Sequence, residues 1–243
     1  MADRYRLHVF PNDQQLVAEV AQRWIHEVWP LCAARSDSRP VCVALSGGRI
    51  ASRYFTSIKE ASRQEGSPPK NLHFFWADER CVPPSDPQSN YADAARALLT
   101  PLGIAEKQIH RIQGELNPDA ATKLADAAAR SLVTPDKSGM AIFDLVLLGM
   151  GEDGHVASLF PEHKEGLATS IYCSVSGSPK PPPNRISLTY RAIAAAANVW
   201  VIASGSDKKR VLYDSLSEKF QTPLAQVIKS RASTEILTDI AGR

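Results

Sequence analysis

The sequence predicts an α/β protein: a mostly parallel sheet flanked by helices, folded as a single domain over residues 1–243. Three observations predict it. Short, almost wholly apolar runs alternate with segments of helical periodicity, as they do when strands are buried on both faces and helices form the crossovers. Glycine, acidic, basic or hydroxyl residues follow four of those runs at once. No internal repeat, low-complexity tract or linker divides the chain.

Arg6–Phe10 reads as the first strand. Asp13–Ala34 reads as a helix, with Asn12 as its N-cap and Leu16, Val20, Trp24 and Val28 recurring at fourfold spacing. Val41–Leu45 is a compact strand that runs into Ser46-Gly47-Gly48, and a helix follows to about Glu60. Leu72–Ala77 is a strand with a polar turn after it. Tyr91–Leu99 and Asp119–Val133 have helical patterns, and Asp144–Leu148 is a buried strand that ends in Gly149-Met150-Gly151. Pro179–Pro183 is a proline-rich loop, read as an excursion within the domain, and Arg185–Thr189 is a short strand. An alanine-rich helix leads to the strand Asn198–Ala203. Gly205-Ser206-Asp207 then turns into a helix from about Lys208 to Leu216, capped by Ser206 or Asp207.

Composition narrows the function classes. Apolar residues make up 44% and charged residues 22%, ordinary values for a globular protein, and 243 residues bury a full core. A net charge of +2 is too small to argue for nucleic acid or a membrane surface, so an anionic ligand would need a local cluster of cations. Cys32, Cys42, Cys81 and Cys173 are scattered, which favours free thiols in a reducing compartment. The start of the chain has no apolar segment of signal-peptide length. The apolar stretches Ile193–Ala203 and Leu145–Met150 fall short of the ~20 residues of a membrane helix. These features set a cytoplasmic enzyme or binding protein as the expectation, with no nucleic-acid or membrane partner.

Ligands of open parallel sheets bind beyond the carboxyl ends of the strands. Those ends carry Ser46-Gly47-Gly48-Arg49, Asp78-Glu79-Arg80, Gly149-Met150-Gly151-Glu152-Asp153-Gly154-His155 and Ser204-Gly205-Ser206-Asp207-Lys208. The first is a tight turn whose bare N–H groups, at a helix N-terminus and beside Arg49, suit a phosphate. It is not a P-loop or a dinucleotide fingerprint, and Ala44 stands where a nucleophile elbow needs glycine. Asp78-Glu79-Arg80, taken alone, reads as a solvated charged turn. His155, flanked by glycines and acids at a strand end, is poorly explained by packing and suits a general base. The other histidines form no ligand spacing with it, so no metal is expected. Lys208, in a first helical turn where positive charge opposes the dipole, points to a ligand.

Taken in order, these motifs resemble one family. Leu45-Ser46-Gly47-Gly48, the segment from Phe75 to Pro83, Ser89-Asn90-Tyr91, the block from Asp144 to Pro161, the segment from Arg185 to Thr189 and Gly205-Ser206-Asp207-Lys208 are similar to the blocks of 6-phosphogluconolactonases. That family lies within a group that includes glucosamine-6-phosphate deaminase, and the blocks span roughly residues 42–212. The resemblance implies a modified Rossmann-like fold and hydrolysis of a small phosphorylated sugar lactone, 6-phospho-glucono-1,5-lactone, with no cofactor. It implies a phosphate site at Ser46, Gly47, Gly48, Arg185 and Lys208 and a catalytic histidine at His155; Arg49, Asn90 and Gly151 are expected to bind the substrate beside them. Ile50 and Ala51 stand where many relatives have threonine and proline, which removes a hydroxyl from the phosphate turn.

The chemistry expected of these residues needs no covalent nucleophile, because a lactone is an activated ester. His155 would deprotonate water and return the proton to the ring oxygen. Asp153 or Asp78 would orient it, and Arg80 with backbone N–H groups near Gly151 would stabilise the oxyanion. Two alternatives remain. A deaminase has Asn-Glu-Pro where this chain has Leu159-Phe160-Pro161, and phenylalanine carries no proton. A non-catalytic sugar-phosphate sensor would be suggested by loss of His155 or Arg80, and both are present.

Overall fold

Nine strands and eight α-helices are formed among residues 4–35, 39–217 and 221–242, which the computed structural model describes. The first half contains β1 (Arg6–Val9), α1 (Asp13–Arg23), α2 (Trp29–Ala34), β2 (Val41–Leu45), α3 (Arg49–Glu65), β3 (Leu72–Trp76), β4 (Asp78–Arg80), α4 (Asn90–Ala94) and α5 (Pro118–Leu132). The second contains β5 (Leu145–Gly149), β6 (Tyr172–Val175), β7 (Arg185–Leu188), α6 (Tyr190–Ala195), β8 (Asn198–Ala203), α7 (Lys209–Leu216), α8 (Pro223–Lys229) and β9 (Glu235–Thr238).

Six strands form one sheet in the order β1-β9-β8-β5-β2-β3, and every pairing in it is parallel. All of β2 is buried, as is β5 except for Gly149 and β8 except for Asn198. Helices cover both faces of such a sheet, which is why its strands are apolar throughout. Trp24, Trp76 and Trp200 are the largest side chains fully enclosed in the core. From β2 the chain moves outward to β3, whereas β5, β8 and β9 build toward the other edge. The sheet thus reverses direction between β2 and β5, and the turns after these strands part to leave a crevice.

Where structure and sequence reading differ, local causes are visible. The segment read as one helix, Asp13–Ala34, widens to a π-turn over Trp24–Val28, where the Trp29 N–H reaches the Trp24 carbonyl. Pro30 has no N–H to offer the His26 carbonyl four residues back, so the regular ladder cannot continue. Asn12 does cap α1, accepting from the Gln15 N–H at 2.9 Å.

Asp78-Glu79-Arg80 is not a solvated turn. It is strand β4, paired antiparallel with β7 in a second sheet ordered β4-β7-β6. Ser206–Lys208 form a single 3-10 turn ahead of α7, and neither Ser206 nor Asp207 caps that helix through its side chain. Among the described residues, no helix is long and apolar enough to cross a membrane.

Candidate active site

The turn after β2 brings backbone close to side chain. A Cβ on Gly47 would lie 1.9 Å from Asn90 Oδ1, so only glycine lets the turn pass under Asn90. Gly48 is the N-cap of the 17-residue α3, and no side chain caps that end. Asn90 donates through Nδ2 to the Asp78 carbonyl at 2.8 Å and to Asp78 Oδ1 at 3.2 Å. This aims its Oδ1 at the glycine turn. Ser46 Oγ and Asn90 Oδ1 are buried, and neither has a hydrogen-bond partner among the described residues. Buried polar atoms without partners are rare in folded proteins, and here two share one wall.

β4 and β7 supply the next wall. Asp78 is 5% exposed and accepts a hydrogen bond from Ser158 Oγ at 2.7 Å. Glu79 points away. Its carboxylate accepts from the N–H groups of Arg80, Asn90 and Tyr91 and from Ser89 Oγ, all within 3.0 Å, and it pins the start of α4. Burial pushes its carboxyl up, and these donors oppose the shift. Arg80 lies directly opposite Arg185 in the β4–β7 ladder. Arg80 donates through Nη1 to the Gln88 carbonyl, while its buried Nε has no partner among the described residues. Arg185 donates from Nε to Pro182 O at 2.9 Å and from Nη2 to Lys180 O and Pro181 O at 3.0 and 3.1 Å. Burial lowers the Arg185 pKa, and the neighbouring Asp78 charge partly restores it.

The turn after β5 builds an acid–histidine pair. His155 Nδ1–H donates to Asp153 Oδ1 at 2.5 Å, and the His155 backbone N–H donates to the same oxygen at 3.2 Å. Burial pushes the Asp153 carboxyl up, but the hydrogen bond and charge of His155 outweigh it and bring it down to about 2. Phe160 packs on the imidazole with ring centroids 4.7 Å apart and fixes its tilt. A Cβ on Gly151 would lie 2.0 Å from His155 Nδ1 and 2.7 Å from Asp153 Oδ1, so the pair exists only over a glycine. With Nδ1 turned to Asp153, Nε2 is the nitrogen left to the cavity. Of the two acids considered as the partner of His155, Asp153 makes the contact and Asp78 is held by Ser158 and Asn90. The Gly151 N–H, considered as an oxyanion donor, is given to the His155 carbonyl at 2.9 Å.

The turn after β8 places Lys208 at the same mouth, where Nζ donates to Met150 O at 2.7 Å. Burial lowers its pKa first, and the charge of Arg49 lowers it further. Arg49 is exposed and sits between Asp207 at 3.5 Å and Glu152 at 3.9 Å. These walls enclose a cavity of about 260 Å³, lined by Ser46, Gly47, Gly48, Arg49, Asp78, Arg80, Asn90, Gly151, His155, Arg185 and Lys208. Asp153 stands behind His155. Ile50, Glu152 and Lys180 line the cavity too and were not among the site residues expected from sequence. Five cations against two carboxylates line a pocket in a chain of net charge +2. A lining with this excess of positive charge suits an anion.

The family described as glucosamine-6-phosphate isomerases/6-phosphogluconolactonase matches residues 11–237. The chain belongs to this family. Among 6-phosphogluconolactonases, the one from Streptomyces coelicolor is 36% identical over 99% of this chain and 94% of its own. That of Haemophilus influenzae is 32% identical over 96% of each chain. The structure of the 6-phosphogluconolactonase from Thermotoga maritima superposes with a TM-score of 0.82 at 25% identity, covering 96% of this chain and 99% of the other.

Two residues bear on the choice of chemistry within this family. Ile50, which lacks the hydroxyl expected at the phosphate turn, lines the cavity at 9% exposure and so contributes an apolar wall. Phe160, which stands where a deaminase would carry a carboxylate, is 2% exposed against the imidazole. Among the described residues, no three His, Cys, Asp or Glu side chains gather as a metal-binding set.

Proposed function

We propose that this chain hydrolyses 6-phospho-D-glucono-1,5-lactone to 6-phospho-D-gluconate, with His155 as the base that activates water. The observation that carries the reading is the 2.5 Å Asp153–His155 pair set in the wall of a cationic cavity. Asp153 holds the proton-bearing Nδ1, so the Nε2 lone pair takes a proton from water. The hydroxide formed attacks C1, and the negative charge moves to the carbonyl oxygen, where Arg80 stabilises it. Collapse of the tetrahedral adduct breaks the bond from C1 to the ring oxygen, and the imidazolium returns its proton to that oxygen. One water is consumed, and the product acid ionises at neutral pH.

The phosphate is received by the Ser46–Gly48 turn at the start of α3, by Arg49 and by Lys208, with Arg185 adding charge from β7. Ser46 Oγ and Asn90 Oδ1 find partners among the substrate's phosphate oxygens and hydroxyls. Phe160 against the imidazole speaks against deaminase chemistry, which needs a second proton carrier there.

The test is acid release on adding fresh lactone, measured against spontaneous hydrolysis. His155→Ala and His155→Asn should lower kcat by at least ~10²-fold, the low end for a positioned base. KM should change little, because the phosphate contacts lie on other turns. Near-parental kcat in both variants, with an unchanged fall in rate on acidification, would rule His155 out as the base.

A further inference from the structure

We infer that Lys180, carried on the proline-rich loop between β6 and β7, is a further substrate-binding residue that meets the phosphate together with Lys208 and Arg49. The inference rests on the lactone-hydrolase reading and adds a residue to that site.

The backbone of Lys180 is fixed from both sides. Its carbonyl accepts from Ser178 Oγ at 2.9 Å and from Arg185 Nη2 at 3.0 Å, and its N–H donates to Ser178 Oγ at 3.3 Å. The Ser178 N–H closes the loop onto Pro183 O at 2.9 Å. Prolines at 179, 181, 182 and 183 leave the loop little freedom to lose on binding. The side chain is the opposite case. It is exposed, it lines the cavity, and no carboxylate of a described residue pairs with it.

A rigid backbone that presents an unpaired ammonium to a cavity spends its order on a ligand. The cations that line the cavity with Lys180, namely Arg49, Arg80, Arg185 and Lys208, point to an anionic ligand. The charge of Lys180 reaches Lys208 and, after burial and Arg49, adds to the forces against a protonated Lys208, while Asp207 and Glu152 oppose them. Lys180, Lys208 and Arg49 line the same cavity from three separate segments, and both Lys180 and Arg49 act against the charge on Lys208. A phosphate dianion placed there relieves the repulsion, and a neutral sugar hydroxyl would not. Arg185 is thereby a positioning residue as well, since three of its contacts go to carbonyls of this loop and hold Lys180 at the cavity.

The experiment measures anion binding apart from turnover. Lys180→Ala, Lys180→Arg, Lys208→Ala and the surface control Lys123→Ala are titrated with 6-phosphogluconate and with inorganic phosphate by calorimetry, and KM and kcat are measured for the lactone. Lys180→Ala should weaken binding of both anions and raise KM about tenfold, the scale of one charge-assisted contact, with kcat within threefold of the parent. Lys180→Arg should restore binding to within about threefold, and Lys123→Ala should match the parent. Unchanged anion affinity in Lys180→Ala, alongside a clear loss in Lys208→Ala, overturns the inference and leaves the lactonase reading standing. A parent that neither hydrolyses the lactone nor binds these anions overturns both.

Discussion

A single methyl group added at residue 151 should disable the acid–histidine pair with both of its members left unsubstituted. In Gly151→Ala the new Cβ falls 2.0 Å from His155 Nδ1 and 2.1 Å from Cε1. An ordinary contact begins near 3.4 Å, so the ring must retreat by about 1.4 Å. It cannot do so alone, because Phe160 packs on it and Asp153 holds Nδ1. Misplacement of a catalytic group by ~1 Å costs on the order of 10²-fold in rate. We therefore expect kcat for the lactone to drop by ~10²-fold or more. KM should stay within a few-fold, since Lys208, Arg49 and the Ser46–Gly48 turn lie elsewhere. The assay is acid release at saturating lactone, run on the parent, Gly151→Ala, His155→Ala and the double variant. If the methyl acts through the imidazole, adding it to His155→Ala should cost little more, a strongly non-additive cycle. A Gly151→Ala enzyme with kcat within threefold of the parent would refute the reasoning. So would a full further loss in the His155→Ala background, which would mean that the methyl damages something else.

Further expectations follow from the same geometry. Lys208→Ala loses a half-buried charge-assisted contact of roughly 1.5–3 kcal/mol, so KM for the phosphorylated lactone should rise strongly. Unphosphorylated gluconolactone should be a poor substrate for the parent and indifferent to that change, and equal turnover of both lactones by the parent would remove the case for an anion site. Asp153 gives a pH signature in stability. Its carboxyl is depressed from the usual 3.8 to about 2 in the folded protein, because His155 outweighs burial. Its contribution is therefore complete above about pH 4 and lost as pH falls through about 2. Thermal melts of the parent and Asp153→Asn should differ above that window and converge within it; a constant difference across the window would contradict the assignment.

Much of the sheet was legible because strands buried on both faces leave nothing polar within them. The apolar runs at Val41–Leu45 and Leu145–Gly149 stop where the backbone leaves the core, so Ser46, Gly47, Gly48, Gly151 and His155 mark its edge in the sequence itself. The glycines after β2 were legible as bare backbone for a phosphate, whereas the close approach of Asn90 to Gly47 and of His155 to Gly151 is set by tertiary packing. Other elements had no such mark. β4 consists of Asp78, Glu79 and Arg80, without apolar alternation, and its strand character comes from β7, more than a hundred residues later. β6, α8 and β9 also passed without assignment. β9 in particular is a four-residue run whose place between β1 and β8 depends on long-range pairing.

The site divides along the same line. The chemical inventory was local: a histidine among glycines and acids, cations at strand ends and a bare turn at a helix start can all be read one segment at a time. The choice among equals was not. That Asp153 rather than Asp78 holds His155 depends on Ser158 and Asn90 having already taken Asp78. That the Gly151 N–H is unavailable follows from a turn in which the His155 carbonyl folds back onto it. Lys180 looked like one residue of a proline-rich excursion until Arg185 was seen to clasp that loop against the cavity. Sequence determines which groups are present and which ends of strands they occupy, because burial sorts polar from apolar locally. Only tertiary structure decides which partner each group finds, because hydrogen bonds are saturable and the competitors come from distant parts of the chain.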